Sequence, residues 1–213
     1  MMSGNSEEDV FGVLKHGWGD NVPGAAVRWF SGDPDRDPWE WRNRVLTERG
    51  DIAYAKLFLK KAGYITRQWY PYFLAVRRSG LGFADEYANG TVSNAAKRIY
   101  ETVANGGALP AHEIKRAAGF KRDENGRFEG ALAELQSKLF LTVRGQMPKI
   151  SSTGTEYGWP SAVYCTTEYF WGDEVFDEAA EIDSNDAYNL IADRIFTLNP
   201  AADIKKTEKF IRG

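Results

Sequence analysis

The chain has 213 residues, is 43% hydrophobic and carries a formal net charge of −3. That hydrophobic content excludes a disordered chain, and the charge excludes a polybasic coat for nucleic acid or membranes. No run of eighteen apolar residues is present, so no membrane partner is expected, and the acidic start MMSGNSEEDV lacks a secretory core. Cys165 is the only cysteine, which rules out a disulfide within the chain and makes a cytoplasmic location the expectation. With Cys165 and only His16 and His112, a His/Cys metal cluster cannot form, so no metal and no cofactor are expected.

Residues 1–24 read as a flexible N-terminus, and 25–90 as a helical N-terminal part. Ser31–Pro38 (SGDPDRDP) is a turn cluster, and Trp39 and Trp41 lead into a helix. A second helix is predicted from Asp51 to Ala62, with Ile52, Ala55, Phe58 and Leu59 on one face and Gly63 ending it. Pro71 breaks any continuous helix in the following YITRQWYPYFLAVRR. Charge is uneven. Lys56 to Arg78 holds six cations and no acid, whereas Glu168 to the end holds eleven acids against five bases.

Residues 91–167 give the order of a winged helix-turn-helix. Thr91 caps a helix carrying Val92, Ala95, Ala96, Ile99 and Val103 on one face, which Asn105-Gly106-Gly107 stops. Pro110 opens the next helix at its first position and Gly119 closes it. A third helix, from Gly126 to Phe140, has the stripe Phe128, Ala131, Leu132, Leu135 and Leu139. Leu141–Val143 and Ala162–Thr166 read as strands, with the polar Arg144–Pro160 as the wing. Acidic helices occupy 168–213. Asp183 or Ser184 caps the first, and Asn199-Pro200 starts the last. The expected fold class is α+β, one compact unit in which a winged helix-turn-helix gains N-terminal and C-terminal helices.

The segments DIAYAKLFLKKAGYITRQWYPYFLAVRR, SNAAKRIYE, HEIKRAAGF, GRFEGALAELQSKLFL, YGWPSAVYC and LNPAADIKKTEKFI resemble the AlkZ-related proteins. These are short bacterial relatives of the AlkZ-type winged-helix DNA glycosylases. The resemblance implies winged-helix architecture and a DNA-linked context. The glycosylases' catalytic Gln-x-Asp or Gln-x-Gln pair is absent, since Gln68, Gln136 and Gln146 each lack Asp or Gln two residues on. No catalytic residue of that family can therefore be carried over.

A DNA reader needs long polar side chains on the outer face of its third helix. Here that face is Gly126, Gly130, Ala133 and Ser137, with Glu129 and Glu134 on its flanks. Such a stripe suits close approach by another backbone, so a homodimer or protein partner is expected there as an alternative to DNA. The DNA contacts expected are Lys115, Arg116, Lys121, Arg122 and Arg127 around the turn, with Lys149 on the wing, mostly to phosphates. An aromatic-basic cluster of Arg67, Trp69, Tyr70, Tyr72, Arg77 and Arg78 fits either nucleobase stacking or a tight internal interface. A catalytic site would need a carboxylate to activate water, and Asp51 and Glu156 are the candidates. Three functions remain open: a non-catalytic DNA-associated protein, a glycosylase with a rearranged site, and a protein-interaction winged helix.

Overall fold

The computed structural model describes Met2, Ser3, Arg28 and residues 30–213. The expectation for residues 1–24 falls, apart from Met2 and Ser3, outside the described residues, as does His16. The element order is β1 (Met2–Ser3), α1 (Pro38–Glu48), β2 (Ile52–Phe58), β3 (Lys61–Thr66), α2 (Tyr70–Arg78), α3 (Phe83–Ala88), α4 (Asn94–Gly106) and β4 (Leu109–Pro110). Then follow α5 (Ala111–Ala117), a 3₁₀ turn (Arg122–Glu124), α6 (Asn125–Ser137), β5 (Leu141–Met147), β6 (Ser161–Thr166), α7 (Thr167–Trp171), α8 (Glu174–Ala180), α9 (Ser184–Leu198) and α10 (Ile204–Arg212). All strands join one antiparallel sheet in the order β1-β3-β2-β5-β6-β4. The class is α+β, as expected.

The helix expected over Asp51–Ala62 is instead the β2–β3 hairpin. Ala53, Ala55 and Leu57 are buried while Tyr54 and Lys56 are half-exposed, a strand period of two that the helical spacing of Ile52, Ala55 and Phe58 concealed. The turn concealed it as well. Phe58 pairs with Lys61, so Leu59 and Lys60 form a two-residue loop, and both have positive φ (49° and 64°). Asn-Gly is the usual pair for such a loop, and Leu-Lys gives no such signal. Gly63 lies inside β3, paired with Ala55, and is not a helix end. Pro71 sits in the first turn of α2, where its missing N–H costs nothing.

Smaller corrections have local causes. Ser93, not Thr91, caps α4, its Oγ accepting from the Ala96 N–H at 3.1 Å; the Thr91 hydroxyl donates to the Glu86 carbonyl instead. Pro110 is the cap residue of α5 rather than its first helical residue. Helix α6 stops at Ser137, before Phe140, because Leu139 takes a left-handed conformation (φ 61°) while fully buried. The last helix starts at Ile204 with Asp203 as cap, four residues beyond Asn199-Pro200. Asp183 does cap α9, accepting from Asn185 and Asp186 N–H groups.

The odd residues of β2 pack with α2, α8, α9, α10 and Leu139 in one apolar cluster. Tyr54, on the opposite face, joins a second cluster of α4, α5, α6 and strands β5 and β6. The two clusters thus lie on opposite faces of β2. The bond between β2 and β5 (Tyr54 to Val143) fixes their relation.

Arg77 locks the first cluster. Its Nε donates to Ile211 O (2.8 Å), Nη1 to Leu57 O (2.7 Å) and Ser137 O (2.8 Å), and Nη2 to Phe210 O (2.6 Å). One guanidinium on α2 therefore holds the end of β2 and the C-termini of α6 and α10. Burial pulls its pKa down to about 9, which still leaves it charged at neutral pH. Among the described residues no carboxylate pairs with it; carbonyl dipoles at two helix C-termini take that part. Arg77→Met strands these carbonyls without a donor, at ~1–3 kcal/mol for each one that stays buried. We expect a loss of about 3–5 kcal/mol, or roughly 10 °C in Tm by circular dichroism. A loss below about 1 kcal/mol would mean that water replaces the guanidinium.

A second buried charge gives an acid-sensitive contact. Burial alone would raise the Glu86 carboxyl, but hydrogen bonds from Lys138 Nζ (2.7 Å) and the Thr91 hydroxyl outweigh it and hold the pKa below the usual glutamate value. This contribution is fully present above the unfolded pKa of about 4.3 and is lost as pH falls through the depressed folded value. Urea midpoints should fall more steeply below about pH 4.5 in the wild type than in Glu86→Gln. Parallel pH profiles would remove Glu86 as the cause.

Candidate functional site

The α5–α6 region is built around the buried side chains Ile114, Phe120, Phe128 and Leu132. Gly119 (φ 71°) turns the chain after α5, and the Arg98 guanidinium from α4 donates to the Ala118 carbonyl at that helix end while lying 4.2 Å from the Phe120 ring centroid. In the sequence Arg98 carries no signal that sets it apart from the other cations of α4. With the turn fixed in this way, its surface side chains point outward. Arg116, Lys121, Arg122 and Arg127 are exposed and Lys115 is half-buried. Lys115 Nζ reaches Asn125 Oδ1, joining α5 to the start of α6, and Arg127 pairs with Glu124 at 3.3 Å. Glu124 also accepts from the Lys121 N–H, and that bond with Arg127 holds its carboxyl below the ordinary range. Among the described residues, the side chains of Arg116, Lys121 and Arg122 have no partner. Lys149 is half-buried on the 148–160 connection, away from the turn in sequence, where its carbonyl accepts from the Tyr157 N–H.

The aromatic-basic segment packs inward. Tyr70, Arg77 and Arg78 are buried; Arg78 pairs with Glu168 (3.0 Å) and lies 4.3 Å from the Phe140 ring centroid. Trp69 and Tyr72 contact each other, and Tyr70 contacts Trp171. Arg67 makes a two-pronged bond to Glu178 at 2.6 and 2.8 Å, so an acid from the C-terminal helices meets a cation from this segment.

The two carboxylate candidates are apart from any enclosed chemistry. Asp51 is exposed and held by Arg49 at 2.7 Å through both oxygens, which lowers its pKa. Glu156 is exposed on the 148–160 connection, bridged to Ile150 through the backbone. Cys165 is buried, which pushes its thiol up to about 12 and keeps it protonated at neutral pH. Among the described residues no group of His, Cys, Asp and Glu could hold a metal ion, and no helix is long and apolar enough to cross a membrane.

The small-residue face of α6 is where the tertiary structure adds most. Gly126 and Gly130 are exposed, and Ala133 and Ser137 are half-buried. Gly130, Ala133, Glu134 and Ser137 line a groove of about 660 Å³ from the α6 side. One wall is the β2–β3 turn with Leu59 and Lys60; the other is the end of α10 with Lys209 and Gly213. Lys60 and Lys209 could not be placed beside α6 from sequence, since they lie about seventy residues away on either side. Gln136 is buried next to this face. It accepts from the Lys56 N–H (2.9 Å) and donates to the Leu132 carbonyl (2.9 Å), tying α6 to β2.

Comparison with the curated proteins and with the solved structures gives no match. A family model described as AlkZ related matches residues 21–212. That match spans both apolar clusters, the α5–α6 turn and the groove apart from Gly213, and by it the chain belongs to the AlkZ-related family.

Proposed function

We propose that this protein associates with DNA through a winged helix-turn-helix at residues 91–167, mainly by phosphate contacts and without catalysis. The observation that carries this reading is the strand order β5-β6-β4. The two-residue β4 pairs with β6 (Leu109 to Tyr164), and β6 pairs with β5, so helix, short strand, two helices and two strands close on one small sheet. That arrangement matches the winged-helix plan, with α6 in the place of the recognition helix. The family's relation to AlkZ-type DNA glycosylases links the chain to DNA repair. The unpartnered Arg116, Lys121 and Arg122 sit at the α5–α6 turn, where a winged helix meets a phosphate backbone.

The non-catalytic part rests on the glutamines and carboxylates. Gln136 is committed to backbone bonds, Gln146 faces Arg42 at 3.4 Å, and Asp51 is neutralised by Arg49. Gln68, Gln136 and Gln146 each lack Asp or Gln two residues on, so none belongs to a Gln-x-Asp or Gln-x-Gln pair.

Binding of a labelled DNA duplex across a salt titration tests the reading. Affinity should fall linearly in log salt, and Lys121/Arg122→Ala should lower the slope by about two, roughly 0.9 for each lost phosphate contact. Absence of binding at low salt would sink the proposal.

A further inference from the structure

Three aromatic rings meet at the outer end of the β5–β6 hairpin. Trp159 (66% exposed) and Phe30 (61% exposed) have centroids 5.9 Å apart and planes at 67°. Trp39 lies 6.2 Å from Trp159 at 73° and 5.5 Å from Phe30 at 46°. A buried carboxylate holds this arrangement. Asp37 accepts from the N–H groups of Phe30 (3.0 Å), Gly32 (2.9 Å) and Trp39 (2.9 Å). One side chain thus fixes Phe30, in the loop, relative to Trp39, at the start of α1. Exposed rings that touch one another form a patch of the kind that marks a contact with another molecule.

Arg42, one turn along α1, completes the group. Its guanidinium stacks on Trp39, with Cζ 3.6 Å from the ring centroid. Among the described residues no carboxylate pairs with it. Its Nε is buried without a partner, and Nη2 makes two long bonds, to Asn43 Oδ1 (3.3 Å) and Gln146 Oε1 (3.4 Å). Gln146 reaches Arg42 because β5 is bulged. Val143 pairs with Tyr164 and Gly145 with Val163, so Arg144 is the extra residue and Gln146 turns to the face of Val143. That is also the face of Tyr54, whose ring lies 5.8 Å from Arg42 Cζ. Without the bulge, strand alternation would send Gln146 to the opposite face.

The unpaired guanidinium and the rings beside it suit one ligand. A nucleotide whose base has left its stack supplies a planar ring for Trp159 and Phe30 and a phosphate for Arg42. An apolar protein surface would cover the rings and leave the guanidinium without an anion. Asp35, Glu40 and Glu156 in the same segments have no ion-pair partner among the described residues. The surroundings are therefore not cationic, and stacking rather than charge carries the contact.

We propose that this end of the hairpin binds an unpaired nucleobase of DNA by stacking on Trp159, Phe30 and Trp39, with Arg42 on the adjoining phosphate. This rests on the DNA reading above and extends it from duplex backbone contacts to strands with exposed bases. Helix α6 ends at Ser137 and β5 starts at Leu141, so the strand returns along the helix. The hairpin end thus stands toward the start of α6, on the side of Lys121 and Arg122.

Anisotropy of a labelled twelve-nucleotide thymidylate strand, an abasic strand of equal length and a duplex tests the proposal. The thymidylate strand should bind about tenfold tighter than the abasic one, or better. Trp159→Ala should remove about tenfold of that affinity and leave the salt slope unchanged, and Trp159→Phe should recover most of the loss. Arg42→Gln should lower the slope by about 0.7, the value of one phosphate on a single strand. Circular dichroism checks that each variant folds; Trp159, being exposed, is not needed for the core. If the duplex binds and Lys121/Arg122→Ala weakens it, but thymidylate and abasic strands bind alike, this proposal fails and the DNA reading stands. If no DNA binds, both fail. If Trp159→Ala leaves DNA affinity unchanged and alters sedimentation of the protein instead, the rings belong to a protein interface and the proposal is overturned.

Discussion

The Arg77 guanidinium is the contact on which the arrangement of the molecule turns. It gathers backbone carbonyls from β2, α6 and α10, the farthest of them 134 positions from Arg77 in the chain. Two of these elements end there as helices, whose last carbonyls have no partner of their own. A buried cation without a carboxylate is costly, and here the cost is offset by four charge-assisted bonds to those carbonyls. The rings of Phe58 and Phe73, 5.4 and 5.3 Å away, exclude water from the contact.

From that lock follows the groove. Because Arg77 draws the end of β2 and the end of α10 to the C-terminus of α6, the β2–β3 turn and Lys209 stand on either side of its outer face. The hydrogen bonds of Gln136 fix the spacing from the other side, since they tie α6 to the Lys56 N–H of the same strand. The outer face of α6 is here partly the floor of a channel. Glu134 accepts from the N–H and hydroxyl of Ser93, the cap of α4, and Glu129 meets Lys56.

The buried polar groups also separate structure from chemistry. Arg78 with Glu168, and Glu86 with Lys138, are ion pairs whose partners come from distant elements and whose oxygens and nitrogens are engaged. They hold helices in register rather than poise a proton. Cys165 is raised chiefly by burial, and Asp51 is exposed and paired. Among the described residues, the unengaged surface cations include Arg116, Lys121 and Arg122 at the α5–α6 turn and Lys60 and Lys209 beside the groove.

Much of the 91–167 region could be read directly from the amino acids. The apolar stripes of α4 and α6, Gly119 as the stop of α5, and the two β-branched strands each carry a local signal of period or cap, and local geometry answers to it. The hairpin at 52–66 could not be read this way. Its alternation of Ala53, Ala55 and Leu57 competes with a helical spacing in the same residues, and its Leu59-Lys60 turn lacks the usual pair. Only pairing with β5 chooses between them, and that contact spans about ninety residues. The same holds for the site. The sequence determined which face of α6 is small and which turn is basic, because both follow from helical periodicity within a dozen residues. Whether that face is a ridge or a channel, and that Lys60 and Lys209 flank it, was decided by the tertiary structure alone, because their placement depends on carbonyls gathered by one guanidinium from opposite ends of the chain.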